Sequence, residues 1–327
     1  MPYFDSEFIL KNYGDTLNGY YYDNSRNSNY KLPFKAIHNI SYRFENSLKK
    51  VIKYPRIKNY HIRFSPNSSN QYDAILNTLY ITPSRISANF QTETGDYRYL
   101  EGNIDDGTLN LSTFDGSHAF LFKAKIINKD SLYGTFWSGS HWKENWLGKR
   151  NDTFQLNNPY QLTNKTHQNI DFKFPNLKNE FISLKDKKYQ DKPIIIQIMG
   201  SWCPNCLDES KYLANIYDKY KNDGLEIIAL AFEKQKDTNR LIKNLFKYKK
   251  SIGINYEILL ASNNSDKNEA SKLLPFLDNI LSYPTTIYLN RKHDIIKIHT
   301  GFNGPASKSK YTEFKKNNEY LINKLLN

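Results

Sequence analysis

The chain is 327 residues long, which at roughly 100–200 residues per domain favours two domains. With 39% hydrophobic and 15% aromatic residues it can bury two ordinary cores, which excludes wholesale disorder. The net charge of +13 comes mainly from Lys spread beside abundant Asn, Ile and Tyr. No arginine-rich stripe or nucleic-acid motif accompanies it, so we read it as the bias of an A/T-rich coding sequence and expect no nucleic-acid partner.

Residues 1–150 read as an all-β domain. Short aromatic or β-branched runs at Tyr60–Phe64, Tyr97–Leu100, Thr108–Ser112, His118–Phe122 and Leu132–Phe136 are divided by turn signals at Thr94-Gly95-Asp96, Asp105-Asp106-Gly107, Asp115-Gly116-Ser117 and Asn128-Lys129-Asp130. A spacing of about ten residues predicts antiparallel strands in a sandwich or an up-and-down barrel. Residues 151–169, polar and rich in Asn, Gln and Thr, read as a linker.

From Pro193 the pattern alternates between strand and helix. Ile194–Met199, Leu225–Phe232 and Tyr256–Leu260 are short apolar runs suited to buried strands. Leu213, Ile216, Tyr217 and Tyr220 fall at helical spacing after Cys206. Asp237 is placed to cap a helix carrying Leu241, Ile242, Leu245 and Phe246. A helix is expected over 268–280, with Pro275 near its start or at a kink. Thr285–Leu289 and Ile295–Ile298 read as late strands, and Phe314, Leu321 and Leu325 mark a terminal helix. Such alternation over 170–327 implies an α/β sheet covered on both faces.

Only two cysteines are present, and two residues separate them, in Trp202-Cys203-Pro204-Asn205-Cys206. That count excludes a disulfide framework and an all-cysteine four-ligand zinc site within one chain. Cys203 ends a strand and opens a helix, so its sulfur is expected beside unpaired N–H groups at the positive end of the helix dipole. Thiolate, the attacking species in disulfide exchange, is favoured there, with acidities of roughly 3.5–7.5 against ~8.5 for free cysteine. Cys206, one turn on, is placed to attack the mixed disulfide and release product. Pro204 suits a first helical turn, and Trp202 is placed to shield the pair and help dock a partner. The plain alternatives are two inert buried thiols, or half of a metal site shared between chains.

Gly200-Ser201-Trp202-Cys203-Pro204-Asn205-Cys206, followed by Asp208-Glu209, resembles the TlpA/ResA branch of the thioredoxin superfamily. Tyr283-Pro284-Thr285-Thr286 is similar to that family's cis-proline loop. The resemblance covers about 168–327. It implies a thioredoxin-like α/β domain, a role for Glu209 in proton transfer, and a cis Pro284 that turns the Tyr283 backbone toward Cys203 and an extended substrate strand. Glu209 also has a plain reading, as a solvated acid in a first helical turn. Lys211 stands where the family often has a proline. Peroxiredoxins, which resemble this fold, place Thr three residues before the reactive Cys; Gly200 holds that position here. Copper-chaperone relatives use a wider cysteine spacing plus a histidine, which this chain lacks at the pair.

Thr94–Gly102, Phe114–Phe122 and Ser138–Trp142 resemble the β-rich region that accompanies a TlpA-like domain in many Bacteroidota envelope proteins. Asp115, His118 and His141 can be read as metal ligands on neighbouring strands, or as a turn aspartate and hydrogen-bonded histidines; we take the second reading and expect no metal.

Together these features predict a thiol–disulfide oxidoreductase, most simply a reductase of protein disulfides. Cys203 attacks, Cys206 resolves and Glu209 helps move protons, while Trp202, Pro204, Tyr283 and Pro284 shape the docking groove. No dissociable cofactor is expected, because the cysteines carry the electrons; a separate thiol donor must re-reduce them. The rival is a redox-inactive scaffold whose β domain recruits an envelope partner. No stretch approaches the ~20 apolar residues of a membrane span. The start is not a signal peptide as written, which fits the cytoplasm or a missing export segment; the resemblance points to the envelope.

Overall fold

The computed structural model describes residues 1, 3–26, 29–45, 57–82 and 85–327. These divide into two compact units, one of residues 6–156 and one of Met1–Asp5 with 157–327.

The first unit opens with an antiparallel three-stranded sheet of β1 (Ser6–Asn12), β2 (Thr16–Asp23) and β3 (Lys31–Ile37). There follow β4 (Ile57–Phe64), β5 (Tyr72–Thr82), β6 (Arg85–Thr92), β7 (Gly95–Asp96), β8 (Leu100–Asp105), β9 (Thr108–Phe114), β10 (Ala119–Asn128), β11 (Ser131–Ser138) and β12 (Trp142–Arg150). Apart from the two-residue β7, each pairs antiparallel with the next, and β12 returns to β4. The result is a closed up-and-down barrel of the kind the strand spacing predicts, and closure removes the exposed edges of an open sheet. Its interior is filled by side chains from alternate positions. Phe90 and Phe122 stack at 4.3 Å between ring centroids, Phe122 and Phe136 at 4.4 Å, with Phe64 and Trp146 against them.

The expected strand at Tyr97–Leu100 is corrected: only Leu100 belongs to a strand. β7 and β8 share one edge of β6 and are divided at Tyr97–Tyr99. Arg98 adopts φ 61° there, its N–H bonded to Asp96 Oδ1. That left-handed conformation breaks the extended backbone a strand needs.

The second unit begins with a hairpin of β13 (Lys173–Pro175) and β14 (Phe181–Ser183). Its centre is a five-stranded sheet ordered β17-β16-β15-β18-β19. β15 (Ile194–Met199), β16 (Glu226–Phe232) and β17 (Glu257–Ser262) run parallel; β18 (Thr285–Leu289) is antiparallel to β15, and β19 (Ile295–Thr300) to β18. Every residue of β15 and β16 is buried, which is why both read as unbroken apolar runs. Four helices complete the unit: α1 (Pro204–Tyr220), α2 (Thr238–Ile252), α3 (Lys267–Leu273) and α4 (Ser309–Leu326). Asp237 caps α2 through the Asn239 and Arg240 N–H groups. On that helix Leu241 and Leu245 are buried, while Phe246 is exposed.

Two expectations change here. The helix expected over 268–280 stops at Leu273, and Pro275 lies beyond its end. Leu274, with φ −126° and ψ 64°, has left the helical region, as a residue before proline is pushed to do. Residues 157–169, read as linker, pack with this unit: Asn164 bonds Asp278 through backbone and side chain, the Thr166 N–H bonds Phe276 O, and Thr163 is buried against Thr300. The chain's start also joins it, with Phe4 in the core and Arg240 paired to Asp5 at 2.9 Å.

Candidate active site

The cysteines sit where the central strand hands over to a helix. β15 ends at Met199, Gly200–Trp202 turn, and Cys203 is the N-cap of α1. Its φ of −97° and ψ of 115° are extended, and its sulfur accepts from the Cys206 N–H at 3.2 Å. A helix start leaves such N–H groups without an intrahelical partner, and this one is met by the Cys203 sulfur. Pro204 occupies the first turn, where its missing N–H costs nothing. α1 continues unbroken through Lys211, whose Nζ lies 4.5 Å over the Tyr3 ring.

The two thiols are unequal. Cys203 is 6% exposed, and its Sγ lies 3.4 Å from Tyr283 O. Cys206 is fully buried; burial, reinforced by the neighbouring Cys203 sulfur, pushes its thiol well up from the ordinary range. Cys203 is thus the more accessible sulfur, and Cys206 the one that burial holds toward the protonated thiol.

Across from Cys203, the Tyr283–Pro284 peptide is cis. The Tyr283 ring meets Trp202 edge to face at 5.6 Å. Trp202 donates its indole N–H to Phe232 O at 2.9 Å and carries Lys234 Nζ 3.5 Å over its ring. Tyr283 thus touches both Trp202 and Cys203, and Pro284 follows it in the chain.

Glu209 is not the solvated acid of the plain reading. It has no exposure, and its oxygens accept from Thr286 Oγ1 at 2.7 Å and Gln197 Nε2 at 2.9 Å. Burial raises its proton affinity from the ordinary 4.5 to about 7, against the pull of those two donors. The carboxyl faces Cys206, whose thiol its charge also pushes up. A group half-protonated near neutrality, beside a thiol that must lose its proton, has the acidity a proton carrier needs.

Several functional neighbours escaped the sequence reading. Glu233, also buried and raised in proton affinity by burial, clamps the turn before the pair. Its two oxygens accept from the Ser201 N–H and hydroxyl, each at 2.7 Å. Gly200 is required by contact: a Cβ there would overlap the Trp202 indole and press on Phe232 O. Gly200→Ala is expected to displace Trp202 and destabilise the fold by about 1–3 kcal/mol, the usual cost of overpacking. Denaturant unfolding of the variant checks this; an unchanged midpoint would show the indole has room to move.

In the first unit Asp115, His118 and His141 make the following contacts. Asp115 accepts from the Ser117 and His118 N–H groups and lies 3.2 Å from His118 Nδ1. His141 contacts Arg26 Nη1 at 2.9 Å and Tyr30 OH at 3.1 Å. Among the described residues no group of three or more His, Cys, Asp or Glu is placed to hold a metal ion.

Residues 166–298 match the model of the AhpC/TSA family. That match covers less than half of the chain. Curated proteins to which the chain is similar include the thiol-disulfide oxidoreductase ResA of Halalkalibacterium halodurans, 28% identical over 143 residues, which are 43% of this chain and 70% of that protein. ResA of Bacillus subtilis is 29% identical over 122 residues, 37% of this chain and 58% of that protein. Among solved structures, a thiol-disulfide oxidoreductase from Bacteroides fragilis aligns with TM-score 0.34 and 19% identity, over 44% of this chain and 96% of its own. The thioredoxin domain of a thiol-disulfide oxidoreductase from Bacteroides vulgatus aligns with TM-score 0.34 and 17% identity, over 45% and 91%. These matches cover half of this chain or less, so the barrel takes no functional label from them. No helix among the described residues is long and apolar enough to cross a membrane.

Proposed function

We propose that the chain is a thiol–disulfide oxidoreductase that reduces protein disulfides through Cys203 and Cys206. The observation that carries this reading is the asymmetry of the pair. The Cys203 sulfur caps α1 against the Tyr283 carbonyl, and Cys206 lies fully buried one turn behind. Cys203 thiolate attacks one sulfur of a substrate disulfide, forming a mixed disulfide and expelling the other sulfur as a thiolate. Cys206, losing its proton toward Glu209, then attacks Cys203. The substrate leaves with two thiols, and the chain holds the Cys203–Cys206 disulfide. The backbone of Tyr283 and the Trp202 ring hold the substrate strand beside Cys203. The cysteines carry both electrons without a dissociable cofactor, and a separate thiol donor restores them. We place this work in the cell envelope, in keeping with the family resemblance.

Redox titration of the whole protein against glutathione or dithiothreitol, with thiol trapping and mass readout, tests the reading. A reversible two-electron disulfide between Cys203 and Cys206 is expected. A potential near thioredoxin's ≈ −270 mV assigns a reductant, and one near ≈ −120 mV assigns a donor of disulfides. If no reversible disulfide forms, the reading fails.

A further inference from the structure

We propose that Gln197, Ser210 and Tyr248 are positioning residues for Glu209: a buried chain of hydrogen bonds, all donating toward its carboxylate, that sets when Glu209 holds its proton. The inference rests on the exchange reading for its purpose; the chain itself is read from contacts. Tyr248 OH donates to Ser210 Oγ at 3.0 Å, Ser210 Oγ to Gln197 Oε1 at 2.9 Å, and Gln197 Nε2 to Glu209 Oε2 at 2.9 Å. Tyr248, Ser210, Gln197 and Glu209 are all fully buried.

The direction of the chain is forced. An ionised carboxylate only accepts, so Gln197 must present its amide N–H to Glu209 and hence its oxygen to Ser210. Ser210 then spends its one proton on Gln197 and has only lone pairs left for Tyr248. Each bond polarises the next in a medium of low dielectric, so the far phenol contributes to stabilising the charge. Protonating Glu209 weakens this chain at its end: the acid can donate to the Thr286 hydroxyl, which turns to accept, while Gln197 donates to what is then a neutral carboxyl oxygen. The chain therefore stabilises the ionised form more than the protonated one.

Among the described residues, the titratable neighbours of Glu209 carry no charge near neutrality. The titratable groups that face Glu209 are Cys206 on its own helix, Tyr256 before β17, Tyr288 on β18 and Tyr160, all with proton affinities raised by burial and uncharged near neutrality. His299 on β19 lies opposite Thr286 in the strand register. Burial lowers its affinity to about 4, which keeps it neutral as well.

The test is a side-chain carboxyl NMR titration of the reduced full-length protein with labelled Glu, the Glu209 signal being identified by its loss in Glu209→Gln. Removing a donor to the ionised form raises the midpoint. Tyr248→Phe is expected to move it up by a few tenths of a pH unit and Ser210→Ala by somewhat more. Gln197→Leu, which deletes the direct bond, should move it by roughly one to two units. A packing role alone would change stability and leave the midpoint in place. Tyr248→Phe and Ser210→Ala keep their shape closely, so they decide the matter even if Gln197→Leu fails to fold. Unmoved midpoints in both folded variants overturn the proposal. Disulfide exchange by the wild type, measured alongside, separates the two readings. Exchange with unmoved midpoints sinks the donor chain alone; moved midpoints without exchange sink the exchange reading alone.

Discussion

Cys206→Ser is expected to stop the reaction halfway, with the substrate held on Cys203 as a covalent adduct. Cys203 stands at the partly open end of the pair, its sulfur within reach of a partner lying along Tyr283. Nothing in the first step needs the second sulfur. The mixed disulfide therefore forms, and with serine at 206 it has no resolving thiolate, because a hydroxyl does not ionise near neutrality. The adduct should appear on non-reducing gels, carry the substrate's added mass and dissolve in dithiothreitol. Cys203→Ser should form no adduct and should lower insulin-disulfide reduction to the thiol background. An adduct in Cys203→Ser but not in Cys206→Ser would reverse the roles assigned here. Turnover by both variants would place the chemistry elsewhere.

How much of this was legible in the sequence depended on whether the signal was local. The cysteine pair, the capping Asp237 and the buried strands β15 and β16 are written in adjacent residues, and the structure places them as read. The barrel was legible as a spacing of turns, yet β12 was missed. Its inward positions include Glu144 and Gly148, so no apolar alternation shows; Glu144 is satisfied by Ser65, Tyr72 and Trp142, partners distant or hidden in the sequence. Gly148 and Gly134 make room for neighbouring side chains that fill the barrel. The same limit applies at the site. Gln197 was visible as the one polar residue in Ile194–Met199, and a polar residue in a fully buried strand asks for a partner. Tyr248 gave no such sign: it continues the apolar face of Leu241 and Leu245, and only its hydroxyl's bond to Ser210, 38 residues away, separates it from core packing. Glu233 follows directly on β16, and only the fold brings Ser201, 32 residues away, onto it.

Glu209→Gln is expected to stabilise the fold increasingly as pH rises from about 5 to 8, while slowing exchange. In the folded chain burial holds the carboxyl's proton to about 7, against an ordinary 4.5. Between those values the folded state keeps a proton that the unfolded chain has released. Stability must therefore fall as pH rises through that window and level off above it. At about 1.4 kcal/mol per unit over some two and a half units, the charged carboxylate costs about 3 kcal/mol by pH 8. Glutamine carries no charge to bury and matches the protonated acid in shape, so the variant should equal the wild type near pH 5 and exceed it near pH 8. Gln197 can still donate to the new amide oxygen, and the Thr286 hydroxyl can turn to accept from the amide nitrogen, so both polar neighbours keep a partner. Exchange should respond in the opposite sense. Without a carboxylate to take its proton, the Cys206 thiol, already pushed up by burial, resolves the mixed disulfide more slowly. The rate should lose its rise across pH 6–8 and follow the thiol's own ionisation at higher pH. Denaturant unfolding and single-turnover exchange over the same pH series test both halves. A variant whose stability tracks the wild type at every pH would mean that the Glu209 carboxyl releases its proton over the same pH range folded and unfolded, so that burial does not raise its proton affinity. An unchanged pH–rate profile would free Cys206 from any dependence on it.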